Sequence, residues 1–88
     1  MNQEVIDTIW HSDFRNDEYM ILSDYYNGFR MYLKKYKKGY KFYVSIRRQK
    51  KHGIDNKLIH ESPVAYFNHC SLNEAKIKGI EHFQWMIS

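Results

Sequence analysis

Through the middle of the chain, apolar residues return at every second position; near its two ends they return at helical spacing. The alternation is clearest over 29–51, FRMYLKKYKKGYKFYVSIRRQKK. Successive side chains of a strand point to opposite faces, so Phe29, Met31 and Leu33 share one face. With Lys38-Gly39 as the two-residue loop of a hairpin, Leu33 lies opposite Val44 and Met31 opposite Ile46. That register puts Phe42, Val44 and Ile46 on the same apolar face. The other face carries Arg30, Tyr32, Lys34 and Tyr36 beside Lys41, Tyr43, Ser45 and Arg47. Lys38 stands in the turn, and Arg48, Lys50 and Lys51 lie beyond.

The pattern extends in both directions. Residues 18–26 predict a strand closed by Asn27-Gly28, a pair that tolerates positive φ and marks hairpin turns. Pairing across it sets Met20, Leu22 and Tyr26 on the apolar face, and Tyr19, Ile21, Ser23 and Tyr25 on the basic one. Asp24 then falls inward, where a carboxylate needs a partner. Residues 49–56 read as a basic, glycine-containing loop. Residues 57–67 read as a fourth strand that Pro63, lacking an N–H, confines to an edge or a bend.

At the N-terminus, Val5, Ile6, Ile9 and Trp10 form one stripe of a short helix over 3–11, with Asn2 as its cap and Glu4 favoured by the helix dipole. Residues 12–17 are polar and read as a connector. Ser71-Leu72-Asn73-Glu74 is a capping box that opens a helix running to about Ile87. Leu72, Ala75, Gly79, Ile80, Phe83, Met86 and Ile87 make its stripe, Glu74 and Lys78 stand at i,i+4 spacing, and Trp85 falls on the far side. The expected fold is therefore α+β: a short N-terminal helix, a four-stranded antiparallel meander and a C-terminal helix packed on one sheet face. It forms a single domain over 1–88, with Leu22, Leu33, Val44, Ile46, Ile80 and Phe83 in one core.

Charge sharpens this picture. The net charge is +4, yet residues 1–28 sum to −5, residues 29–54 to +10 and residues 55–88 to −1. Segregated charge produces a stronger local field than the net value implies. Ten cations over 29–51 with no Asp or Glu, interleaved with tyrosines, suit nucleic acid: cations displace phosphate counterions and exposed rings offer stacking surfaces. The bland reading is that Tyr favours strands and Lys keeps an exposed sheet soluble. The candidate binding residues are Arg30, Tyr32, Lys34, Tyr36, Lys38, Lys41, Tyr43, Arg47, Arg48, Lys50 and Lys51.

Catalytic and metal chemistry find little support. The five histidines and Cys70 show no paired ligand spacing of the kind zinc sites use, and His69 and Cys70 are adjacent. Cys70 stands just before a helix N-terminus, but no His and acid accompany it at a recognisable spacing. Glu74-Ala75-Lys76 has the E-x-K spacing of some nucleases but opens a helix rather than lying on a strand. No Walker loop or G-x-G-x-x-G is present. The expectation is no enzyme, no cofactor and no metal. One cysteine excludes an internal disulfide and suits a reducing compartment. No bilayer-length apolar run and no secretory signal is visible, so the expected location is cytoplasmic, the host's if the protein is phage-encoded, with no membrane partner.

The strand–turn–strand followed by S-L-N-E-A-K resembles a pattern of small proteins from phages and mobile elements. The organisation is similar to the three-stranded, one-helix arm-binding domains of phage integrases, which implies a basic sheet docked on DNA. The double-stranded-RNA-binding fold shares much of the element order, but its Lys-rich C-terminal helix motif has no counterpart in 72–87. Small size, a solitary domain and a Lys-, Ile-, Asn- and Tyr-rich composition resemble anti-CRISPR proteins, which are mostly non-enzymatic inhibitors. The leading expectation is a non-enzymatic binding protein whose basic hairpin face engages nucleic acid or a nucleic-acid-handling complex. The alternative partner is an acidic protein surface, as for an inhibitor of a CRISPR effector.

Overall fold

The computed structural model describes residues 2–12, 20–62 and 67–88. Two helices and five strands follow one another as α1 (Gln3–Ile9), β1 (Trp10–Ser12), β2 (Met20–Ser23), β3 (Phe29–Tyr36), β4 (Gly39–Lys50), β5 (Gly53–Glu61) and α2 (Leu72–Ile87). The strands form one antiparallel meander in the order β1-β2-β3-β4-β5. The α+β class and both helices are as expected from sequence; the sheet has five strands rather than four.

The extra strand comes from the end of α1. Asn2 caps this helix, its Oδ1 accepting from the Val5 N–H at 2.9 Å. The periodicity predicts helix through His11, but Trp10 leaves it and pairs with Ser23. Its indole is buried and donates to the Lys76 carbonyl at 3.1 Å, a long-range contact that outweighs one more helical residue. Of the expected connector and first strand, residues 13–19 lie outside the described residues, as does Pro63.

Two registers differ from the sequence reading. At the β3–β4 turn the loop is Lys37-Lys38, and Tyr36 pairs with Gly39. Leu33 therefore faces Phe42, and Met31 faces Val44. The slip is two residues, so every side chain keeps its predicted face. Gly39 opens β4 instead of turning the chain, because a Cβ there would run into the Phe67 carbonyl oxygen.

Between β2 and β3 the slip is one residue, and faces do change. Asn27 (φ 53°) and Gly28 (φ 86°) make the expected tight turn, with Tyr26 and Phe29 exchanging both backbone hydrogen bonds at 2.8 and 3.0 Å. The ladder then breaks at Asp24-Tyr25 and resumes with Leu22 opposite Tyr32. Ser23 fills the break: its Oγ accepts from the Met31 N–H at 2.9 Å and donates to the Asp24 carbonyl at 2.8 Å. Asp24 turns outward to His11 Nε2 at 3.2 Å, so its carboxylate stays exposed. In consequence Ile21 and Ser23 face the core, while Met20 and Leu22 join the basic face.

The predicted basic loop over 49–56 is instead the tip of a third hairpin. β4 runs to Lys50, turns at Lys51-His52 and returns as β5. A bulge beside Val44 and Ser45 leaves Ile59 unpaired, which aims His60 at the core side and Leu58 at the other. After β5, Ser62 Oγ accepts from the Phe42 N–H at 3.1 Å.

Both helices lie on one sheet face. Ile6, Trp10, Met31, Leu33, Phe42, Val44, Phe67, Ala75, Ile80 and Phe83 form the core. Phe42 and Phe67 stack at 5.7 Å, and Gly79 lets α2 approach the rings of Trp10 and Phe42. Of the predicted core, Leu33, Val44, Ile80 and Phe83 are buried. Ile46 is half-buried opposite Phe29, and Leu22 lies on the other face. The Ser71 hydroxyl accepts from the Glu74 N–H at 3.2 Å, and Trp85 is 71% exposed, as the helix reading requires.

Candidate functional site

The sheet face opposite the helices carries the residues singled out for binding. On β3 these are Arg30, Tyr32, Lys34 and Tyr36; on β4, Lys41, Tyr43 and Arg47. Direct cross-strand pairs are Tyr32 with Tyr43 and Lys34 with Lys41. β5 adds Asn56, Leu58 and Glu61, and the β2 end adds Met20 and Leu22. Tyr32, Tyr43, Met20, Leu58, Lys34, Ser45 and Asn56 line a shallow groove of about 310 Å³. Its floor is ordered: Ser45 is buried and its hydroxyl donates to the Tyr32 Oη at 3.2 Å.

Beside this groove, two guanidinium groups approach the ring of Tyr25. The Arg30 Cζ is 4.1 Å from its ring centroid and the Arg47 Cζ 5.6 Å, both within cation–π range. The Tyr25 hydroxyl donates to Asn56 Oδ1 at 2.8 Å, which ties the ring to β5. Arg30 Nε is shut off from solvent with no acceptor among the described residues. Among the described residues a π face, not a carboxylate, holds this guanidinium.

Lys41 is different. It forms an ion pair with Glu61, and hydrogen bonding to that carboxylate raises the lysine pKa. The ammonium also lies 5.7 Å from the Tyr36 ring and 5.8 Å from the Tyr43 ring. Like charges directly opposite in a sheet repel, and Glu61 relieves the Lys34–Lys41 pair. Burial, followed by a hydrogen bond with Tyr36, raises the Tyr43 pKa, so the phenol stays neutral in ordinary buffers.

The remaining candidates are elsewhere. Arg48 and Lys50 are on the helix side, both paired to Asp55: Arg48 Nη2 at 2.9 Å and Lys50 Nζ at 3.0 Å. Hydrogen bonds from Lys50 and then Arg48 lower the Asp55 pKa. Lys51 sits in the β4–β5 turn and Lys38 in the β3–β4 turn, both exposed. The sequence reading gathers these cations into one patch because it stops short of Asp55 and Glu61, which fold back onto β4. It also misses Asn56 and Leu58, whose face is set by the tight turn at Lys51-His52, where a loop is expected.

Among the described residues, no three His, Cys, Asp or Glu side chains come together as metal ligands. His60 and His82 meet at 2.8 Å between Nε2 atoms, beside Phe42 and Trp85. Burial, then the charge of His60, lowers the His82 pKa, which favours the neutral form of His82. No helix among the described residues is long and apolar enough to cross a membrane. No protein family, curated protein or solved structure matches the chain.

Proposed function

We propose that this is a non-enzymatic binding protein whose open sheet face engages single-stranded nucleic acid, alone or within a nucleoprotein complex. The observation that carries this reading is the ring of Tyr25 approached by Arg30 and Arg47, next to the facing pair Tyr32 and Tyr43. Guanidinium groups without a carboxylate partner among the described residues meet phosphates, while rings at fixed positions accept bases. Base stacking tolerates any sequence, so the preference among sequences is weak. Titrating a labelled single strand at several salt concentrations tests the reading: affinity falls log-linearly with salt. A salt-independent affinity would overturn it.

A second reading has its own observation. Trp85, 71% exposed on α2, and the exposed Glu4 on α1 suit contact with a protein, as an inhibitor of a nucleic-acid-handling complex would make. Trp85→Ala separates the two: it leaves strand binding intact but abolishes capture of a protein partner.

A further inference from the structure

The tip of the β3–β4 hairpin is a second cationic surface, distinct from the sheet face. Lys37 and Lys38 form the turn; Lys35 pairs with Tyr40 and takes the helix side. Together with His69 and Cys70 they border a hollow of about 390 Å³. Lys35, Lys37 and Lys38 are all exposed, and none has a carboxylate partner among the described residues.

A turn built of lysines for solubility alone would not need anchoring; this one is anchored by a distant segment. The His69 N–H donates to the Lys38 carbonyl at 2.6 Å, and Gly39 bridges to Asn68. Gly39 leaves no room for a side chain against the Phe67 carbonyl, so the two segments pack backbone to backbone. His69 holds φ at 56°, a conformation that non-glycine residues keep only where their surroundings enforce it. Phe67, fully buried against Phe42, ties this segment to the core. Three lysines and a histidine thus border one hollow on a fixed frame.

We infer that this hollow holds one phosphate group of the nucleic acid, which runs off the sheet face past Tyr36 and over the hairpin tip. This inference rests on the function proposed above. Tyr36 borders the hollow and projects on the sheet-face side of β3, so a strand leaving Tyr32 and Tyr43 reaches the tip along β3, while Glu61 of β5, on the same face, is paired to Lys41. The ligand chemistry is a phosphate oxyanion, from either a chain-internal diester or a terminal monoester.

The test compares the wild-type chain with the variant K35Q/K37Q/K38Q, using oligothymidylate with and without a 5′-phosphate. All three lysines are exposed, and thermal unfolding checks that the variant keeps its fold. Lysine-to-arginine changes at the same positions should restore binding. One shared phosphate predicts that the magnitude of the single-strand salt slope falls by about 0.7; three lysines on separate phosphates predict a fall of about 2. A loss confined to the 5′-phosphorylated strand identifies the monoester, and an equal loss on both strands the diester.

A variant that binds like wild type, with the wild-type slope, overturns the hollow while the sheet-face reading stands. A fall in slope of about 2 also overturns it as a single site. Pyrophosphate, followed through the backbone amide resonances of Lys38, Gly39 and His69, tests the hollow without a strand. If no strand binds but pyrophosphate shifts these amides in wild type and not in the variant, the hollow stands as a phosphate site and the strand reading falls. If neither ligand binds, both fall.

Discussion

Arg47 and Arg48 are neighbours on one strand and belong to different structures. Arg47 points to the open face and reaches the ring of Tyr25, whereas Arg48 points to the helix side and is clamped by Asp55. The same division separates Arg30, under Tyr25, from Lys50, which shares Asp55. Charge density along the sequence is uniform across these residues; what differs is the neutralising partner. A carboxylate cancels the charge and lowers the field, while a π face fixes the guanidinium and leaves its charge available. Arg30 and Arg47 are thereby able to bind an anion, while Arg48 and Lys50 serve the fold.

The largest effect should come from removing the ring-held pair. Arg30→Ala with Arg47→Ala should cost about 2 kcal/mol or more in single-strand affinity, on the scale of charge-assisted hydrogen bonds. The magnitude of the salt slope should fall by about 1.4. Arg48→Ala with Lys50→Ala should change neither. Equal losses from the two double variants in a salt-dependent binding assay would erase the distinction.

Next in size is the stacking contribution. Tyr32→Ala or Tyr43→Ala should each weaken single-strand binding by about 1–3 kcal/mol with the slope unchanged. Neither ring belongs to the buried core, so the fold should persist, as circular dichroism would show. Full binding by the double tyrosine variant would reduce the site to charge alone.

The comparison depends on which face each residue takes, and here sequence and structure part company in an instructive way. The β3–β4 faces are legible because alternation has a period of two, and the error at that turn is also two. The β2 faces are not, since a break at Asp24-Tyr25 shifts the register by one; Ser23, a residue that reads as surface, supplies the missing acceptor. The tight turn at Asn27-Gly28 is read correctly, yet a correct turn does not fix a strand that breaks two residues away. The β5 partners are invisible for another reason. Asp55 and Glu61 fall outside the basic stretch: Asp55 returns to β4 across a hairpin that reads as a loop, and Glu61 reaches Lys41 by a long-range pairing. The amphipathic stripe and capping box of α2 are local signals, and both are found in the fold.

Ser23→Ala tests that break. In the observed register it removes a buried acceptor from the Met31 N–H and should destabilise the fold by about 1–3 kcal/mol, measured by urea unfolding. In the register predicted from sequence, Ser23 would face the open side and the same change would stay within about 0.5 kcal/mol. The size of the effect therefore decides whether Met20 and Leu22 belong beside Tyr32.

The smallest effect, and the sharpest for the comparison, concerns Asp55. Its folded-state pKa is depressed by Lys50 and Arg48, so the folded chain binds fewer protons than the unfolded chain as pH approaches the ordinary carboxylate range from above. The stability this pairing contributes is fully present above the usual Asp value. It is lost as pH falls through that value and then through the lowered one. Asp55→Asn should remove this part of the acid dependence, with a shift in urea midpoint at neutral pH smaller than that of Ser23→Ala, because the carboxylate is solvent-exposed and screened. Its effect on binding is the decisive part. Asp55→Asn releases Arg48 and Lys50, but on the helix side of the sheet, so the single-strand salt slope should not steepen. A steeper slope in this variant would mean that the strand reaches around β4 to the released cations. Facing direction would then not separate Arg47 from Arg48; only the carboxylate would.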